Sequence, residues 1–157
     1  MQLQMEQVVD AILHDYSKNR QIDKLESMRN PDKDAVIEII EKLRRIVFPG
    51  YSKDKNYRIY NAKHNLSMLI EDVMFNLSNQ IALVLRGSGM EEPQAMERAQ
   101  ALSLAFFEQI PTVRAYVDTD LQASYDGDPA ATGMDEIIFS YPGLFAITVY
   151  RLAHELH

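Results

Sequence analysis

The chain has 157 residues, a formal net charge of −7 and no cysteine. Its length fits one domain, and its acidic charge with dispersed basic residues disfavours binding to a nucleic-acid backbone. The lack of cysteine excludes disulfides and thiolate chemistry. We expect neither a signal peptide nor a membrane span, so the cytoplasm is the expected location.

Apolar residues recur at helical spacing along almost the whole sequence. This periodicity predicts an all-α fold, an irregular bundle of six to eight helices. A polar stretch over residues 51–58 separates the second helix from the third. The predicted helices, in chain order, cover about 3–17, 31–47, 59–86, 91–109, 111–124, 135–140 and 142–157.

Proline and glycine mark the predicted helix ends. Phe48-Pro49-Gly50 ends the second helix and Gly87-Ser88-Gly89 the third, while Pro111 begins a separate fifth helix. The last helix is still periodic at His157, with no glycine, asparagine or proline to end it. We expect such an end in a domain cut from a longer protein.

No local pattern identifies a nucleophile or a metal site. Gly87-Ser88-Gly89 is too short for a phosphate loop and is better explained as a helix end. His154 and His157 share a helix face, but no glutamate motif supports a metal there, and we expect surface or interface histidines. Asp126-Gly127-Asp128 lacks the glycine and glutamate that a calcium loop needs.

Asp128 precedes Pro129 and has two interpretations. The structural one makes Asp128 the N-cap of a helix that begins at Pro129, worth about 1 kcal/mol. The functional one makes it a carboxylate at a tight turn that faces a cleft and holds an ammonium group. The two are not exclusive, and the residues alone leave both open.

The last quarter of the chain carries an ordered series of short motifs: a D-P-A turn, a Y-P-G turn and an A-x-x-x-x-R-x-A-H helix. In this series the chain resembles the N-terminal helical domain of bacterial serine O-acetyltransferases. Residues 1–110 match that family only in helical character. The motif segments are residues 120–123, 126–131, 135–138, 141–143 and 146–154.

The resemblance implies that residues 1–157 are the helical domain, with 1–110 as the assembly part and 111–157 leading to a second domain. In the family that domain is a left-handed β-helix of hexapeptide repeats, which this sequence lacks. Trimers of the β-helix bind the co-substrate acetyl-CoA, and a His–Asp pair on it takes the proton from the serine hydroxyl. We therefore expect no catalytic residue, cofactor or metal within this chain.

The family also assigns roles to residues of the motif series. Its D-P-A aspartate holds the substrate amino acid, which implies that Asp128, with Pro129 beside it, binds serine. Close packing is expected at Gly143, and polar contacts from Arg151 and His154. Structural roles at the junction with the β-helix are thus expected for Tyr141, Gly143, Arg151 and His154.

The resemblance implies a homo-oligomer that acts in cysteine biosynthesis, with L-serine as ligand and L-cysteine as an inhibitor at the same pocket. Association with O-acetylserine sulfhydrylase would use a C-terminal tail that this sequence lacks. Alone, the chain is expected to bind serine and assemble without catalysing acetyl transfer. The alternative is a self-standing helical interaction module, favoured by the missing catalytic half and disfavoured by the motif series.

Overall fold

The structure is a computed structural model that describes residues 2–18, 20, 30–51 and 62–157. These residues form six α-helices, one 3-10 turn at Pro49–Tyr51 and no strand, which confirms the predicted all-α class. The predicted polar stretch at 51–58 lies outside the described residues beyond Tyr51. The helices are α1 Gln2–Tyr16, α2 Lys33–Val47, α3 Ala62–Gly87, α4 Gln94–Gly127, α5 Met134–Ser140 and α6 Pro142–His154.

The chain divides into two compact units, Met1–Asn30 and Pro31–His157. The first contains α1, whose end carries an exposed ion pair between Lys18 and Asp15, 2.7 Å apart. The second contains α2 to α6 and all of the predicted site residues.

The predicted glycine stop after α3 is confirmed. Gly89 has a φ of +100°, a left-handed conformation that glycine adopts without a steric cost. The Met90 N–H donates to the Leu85 carbonyl at 3.0 Å, and the Gly89 N–H donates to the Arg86 carbonyl at 3.0 Å. This pair of hydrogen bonds is the Schellman arrangement, which satisfies carbonyls at the end of a helix.

The predicted break at Pro111 is wrong, because α4 is a single helix of 34 residues that contains this proline. Pro111 is exposed, so its ring lies on the solvent side of the helix. A proline inside a helix costs about 3 kcal/mol. Burial of Val113, Val117 and Leu121 beyond it gains about 1.5–3 kcal/mol per side chain, which outweighs that cost.

The core lies where α4 packs against α3 and α6, and α2 packs against α3 and contributes to the same core. A polar contact between two helices lies within it: the hydroxyls of Ser78 on α3 and Ser103 on α4 are hydrogen-bonded at 2.9 Å, and both residues are buried. The largest fully buried apolar side chains are Phe106, Ile137, Val73, Val113 and Val117.

By length and composition α3 could cross a membrane, contrary to the expectation that no segment could. Core helices meet the same test. Val73 and Leu77 of α3 are buried in the bundle core. Its Asp72 forms an ion pair with Lys42 of α2 at 2.5 Å. We therefore interpret α3 as a helix of the bundle, one face of which contributes to the core.

The last helix ends earlier than predicted. α6 stops at His154, and residues 155–156 form a turn in which the Leu156 N–H donates to the Ala153 carbonyl at 3.1 Å. The apolar spacing extends to Leu156 because the turn keeps this side chain in line with the apolar face of α6.

Candidate functional site

Asp128 lies at the end of α4 and organises the turn that follows. Its backbone is extended, with φ −118° and ψ 99°. Its Oδ1 accepts the Ala130 N–H at 2.9 Å, and its carbonyl accepts the Ala131 N–H at 3.0 Å. Pro129 is exposed within this turn. The N-cap prediction is therefore wrong in detail: the Asp128 side chain caps a turn, and the next helix begins only at Met134.

Tyr141 contacts the same carboxylate from the junction between α5 and α6. Its hydroxyl donates to Oδ2 of Asp128 at 2.6 Å, across 13 residues of sequence. Tyr141 is half-buried. Within the described residues its polar contact is therefore with the Asp128 turn, whereas the sequence predicted a role at the junction with a second domain.

These hydrogen bonds stabilise the ionised aspartate. The Tyr141 hydroxyl, followed by the Ala130 N–H, holds the pKa of Asp128 below its ordinary value of 3.8. The same bond to Asp128 raises the pKa of Tyr141 to about 12. At neutral pH the pair therefore consists of an ionised Asp128 carboxylate and a neutral Tyr141 hydroxyl that donates a hydrogen bond to it. The pair carries one negative charge.

Two further hydrogen bonds join the loop that follows the Asp128 turn to the first turn of α5. Glu136 accepts the Thr132 hydroxyl at 2.7 Å and the Thr132 N–H at 2.9 Å. These bonds lower the pKa of Glu136. Thr132 and Glu136 were not predicted as site residues, although a threonine shortly before a helix and a glutamate in its first turn are the signal of a capping contact.

α5 is also joined to the 3-10 turn that follows α2. The Tyr51 hydroxyl donates to Oδ1 of Asp135 at 2.5 Å. The Tyr51 ring packs edge-on against Phe139, with ring centroids 5.3 Å apart. Both ends of the short helix α5 are thus held, and the loop after Asp128 is bounded by fixed elements.

Arg151 contacts α4, whereas His154 contacts a neighbouring residue on the surface of α6. Arg151 forms a two-nitrogen ion pair with Asp120 of α4, and its guanidinium lies 5.0 Å above the Tyr116 ring. His154 is exposed and stacks on Tyr150, with ring centroids 6.0 Å apart. The expected polar contacts of Arg151 therefore exist, but between α4 and α6.

Gly143 does not pack closely against any described residue. It is exposed in the first turn of α6, and a Cβ there would meet nothing within 4 Å. A close-packing role thus finds no support inside this chain, and a role against a second domain stays a prediction. Across the described residues, no cluster of three or more histidine or carboxylate side chains could hold a metal ion.

Known proteins resemble this chain in sequence and in fold. The plasmid serine acetyltransferase of Synechococcus elongatus is 31% identical over 134 aligned residues, covering 81% of this chain and 42% of that protein. The chain is a homologue of the serine acetyltransferases. The probable serine acetyltransferase 5 of Oryza sativa subsp. japonica is 38% identical over 55 residues, which cover 35% of this chain and 16% of that protein.

A solved serine acetyltransferase has a similar fold. The crystal structure of isoform 3 from Entamoeba histolytica, in complex with cysteine, aligns with a TM-score of 0.62 and 28% identity, covering 75% of this chain and 38% of that one. No protein-family profile matches the chain.

The serine acetyltransferase match confirms the predicted resemblance and extends it. Coverage of 81% of the chain reaches far beyond residues 111–157. Residues before 111 therefore match in sequence as well as in helical character, which corrects the earlier expectation. The chain spans less than half the length of each of these serine acetyltransferases. The predicted boundary between residues 110 and 111 falls inside α4.

Proposed function

We propose that this chain is the serine-binding helical part of a serine O-acetyltransferase. The complete protein would transfer the acetyl group of acetyl-CoA to the hydroxyl of L-serine and give O-acetylserine for cysteine biosynthesis. The homology over 81% of the chain carries this proposal. Within the chain, Asp128 and the turn at Pro129 would receive the amino acid.

The chemistry of the Asp128 turn suits an amino-acid ligand. An ionised carboxylate fixed by two donors complements an ammonium group at modest reorganisation cost. The Entamoeba histolytica relative was solved with cysteine, which differs from serine only in carrying sulfur in place of oxygen. The same ligand chemistry supports L-serine as the substrate here and L-cysteine as an inhibitor at the same pocket.

Acetyl transfer also needs a base for the serine hydroxyl and a binding site for the thioester. In the part of the chain that the structure describes, no histidine is hydrogen-bonded to a carboxylate. We assign both tasks to a following domain, in keeping with the family resemblance. The chain alone would then bind the amino acid without turnover. Association with the sulfhydrylase, and a cytoplasmic location, belong to the same proposal for the complete protein.

Exposed apolar side chains support assembly with further copies. A groove of about 790 Å³ lies between α3 and α4. Phe75 and Leu104, which line it, are 68% and 54% exposed. Apolar side chains of this size on one groove are typical of surfaces that another chain covers. The proposed homo-oligomer would bury this groove.

The proposal is tested by extending the reading frame past His157, expressing the continuous product and measuring CoA release with a thiol reagent. This chain contributes no background because it contains no cysteine. We expect release that depends on L-serine from the continuous product, and none from residues 1–157 alone. Asp128→Asn keeps an oxygen for the Ala130 N–H but loses the charge, so it should raise the KM for serine.

The outcomes separate the two candidate functions. Release that is independent of serine, or a reading frame without an acyltransferase domain and without turnover, would favour the helical interaction module. Normal serine kinetics in Asp128→Asn would leave the enzyme in place but remove Asp128 from the binding site. Thermal melting of each variant controls for loss of the fold.

A further inference from the structure

The two oxygens of the Asp128 carboxylate each have one donor from the chain. Tyr141 donates its hydroxyl to Oδ2 at 2.6 Å, and Ala130 donates its N–H to Oδ1 at 2.9 Å. An ionised carboxylate offers about four lone-pair positions. About two of them therefore remain for a ligand, and the two donors determine where these point.

Tyr141 is itself fixed at both ends of its backbone. Its N–H donates to the Ile137 carbonyl at 3.1 Å, and its carbonyl accepts the Phe145 N–H at 3.3 Å. Its ring packs against the buried core, and Pro142 begins α6 directly after it. Tyr141 is thus held by both α5 and α6. Asp128 lies on a turn, where its side chain could rotate more freely without the hydrogen bond from Tyr141.

We infer that Tyr141 is a positioning residue for amino-acid binding: its hydroxyl holds the Asp128 carboxylate in the orientation that leaves its remaining lone pairs to the ligand's ammonium group. This inference rests on the proposed serine-binding role of Asp128. The junction role that the family resemblance suggests for Tyr141 stays a separate prediction. Because Tyr141 acts through Asp128, it affects the amino acid and leaves the acetyl donor unaffected.

The test uses the complete gene product and the variants Tyr141→Phe, Asp128→Asn and the double variant. Phenylalanine keeps the packed ring and removes only the hydroxyl. Tyr150→Phe is the matched control, since Tyr150 is an exposed tyrosine on α6. The KM for L-serine, the KM for acetyl-CoA and kcat are measured for each protein.

Tyr141→Phe should raise the KM for serine about tenfold, the size expected for one hydrogen bond to a charged group. The KM for acetyl-CoA and kcat should stay within about twofold, because the lost contact acts equally on bound serine and on the transition state. In the Asp128→Asn background, Tyr141→Phe should change the KM for serine by less than about twofold, since its target is already gone.

Four results would overturn the inference. If Asp128→Asn impairs serine binding and Tyr141→Phe behaves like Tyr150→Phe, Tyr141 has no positioning role and the proposed function stands. If neither variant impairs it, the serine role of Asp128 fails as well. If the two substitutions add fully in the double variant, Tyr141 does not act through Asp128. If both KM values rise together with a lower melting temperature, the role is structural.

Discussion

Arg151 on α6 binds both carboxylate oxygens of Asp120 on α4, with Nε 2.5 Å from Oδ2 and Nη2 2.7 Å from Oδ1. The two side chains are 27% and 20% exposed, so water screens the pair only in part. A planar guanidinium matches a carboxylate in this two-bond geometry, which fixes angle as well as distance. The pair therefore sets how α6 lies on α4.

Asp120→Asn should destabilise the fold by about 1–2 kcal/mol, because it leaves a partly buried guanidinium without its counter-charge. Urea unfolding of residues 1–157 measures this. Glu41→Gln is the control: it removes the partner of Arg44 in an ion pair whose glutamate is 56% exposed, and it should cost less than about 0.5 kcal/mol. Equal losses in the two variants would contradict the role given to the Asp120–Arg151 pair.

The Tyr141–Asp128 hydrogen bond predicts that the stability of the fold decreases at both low and high pH. The pKa of Asp128 is lowered in the fold, so its contribution to stability is present above pH 3.8 and is lost as the pH falls through the lower folded value. The pKa of Tyr141 is raised from 10.0 to about 12, so its contribution is present below pH 10 and is lost as the pH rises through the folded value.

The melting temperature of Tyr141→Phe should therefore fall below that of the wild type by an amount that is largest between about pH 5 and 9. The difference should shrink towards both extremes. Thermal melts from about pH 3 to about pH 11 measure it, with Tyr150→Phe as a control whose difference from the wild type stays flat. A constant difference for Tyr141→Phe would mean that the hydroxyl does not discriminate between the charge states of Asp128.

The buried Ser78–Ser103 pair predicts an asymmetry between single and double substitutions. Ser103→Ala leaves the Ser78 hydroxyl buried without its partner, and we expect a loss of about 1–2 kcal/mol. Ser78→Ala/Ser103→Ala removes both polar groups and should lose less than Ser103→Ala alone. Urea unfolding of the wild type, Ser78→Ala, Ser103→Ala and the double variant decides this, and fully additive losses would show that the hydroxyls do not depend on each other.

Gly143→Ala separates a role inside the chain from one at a domain junction. Open space surrounds the position, so residues 1–157 should keep their stability or gain up to about 1 kcal/mol from the better helix former. If Gly143 packs against a following domain, the complete gene product should lose activity. Gly87→Ala, at the end of α3 and also in open space, is the control. Full activity of Gly143→Ala would remove the junction role.

Helical periodicity predicts most of this fold because each amphipathic segment buries one face, and that face is visible in the local sequence. Pro111 shows where local signals mislead. A proline usually ends a helix, but the burial of Val113 and Val117 depends on packing partners far away in the sequence, and this packing outweighs the local preference. The N-cap predicted at Asp128 failed in a similar way, since the local Asp-Pro pattern does not reveal the later helix start at Met134.

The candidate site is less visible in the sequence because its contacts join distant residues. Asp128 could be singled out by its turn and by family resemblance. Its partner Tyr141 lies 13 residues away, and Arg151 is 31 residues from Asp120. No spacing rule of helices or turns connects residues so far apart, so only the packed bundle reveals which side chains meet.

The unbroken α4 helix also determines the direction in which Asp120 and the Asp128 turn point around the helix axis. Each residue of an α-helix turns the chain by about 100° and advances it by about 1.5 Å. One residue inserted between Ile110 and Asp120 would rotate Asp120, and the turn that bears Asp128, by about a quarter of a revolution relative to the first half of α4. The angular setting of the candidate site therefore depends on the exact residue count of a helix whose middle lies well away from it.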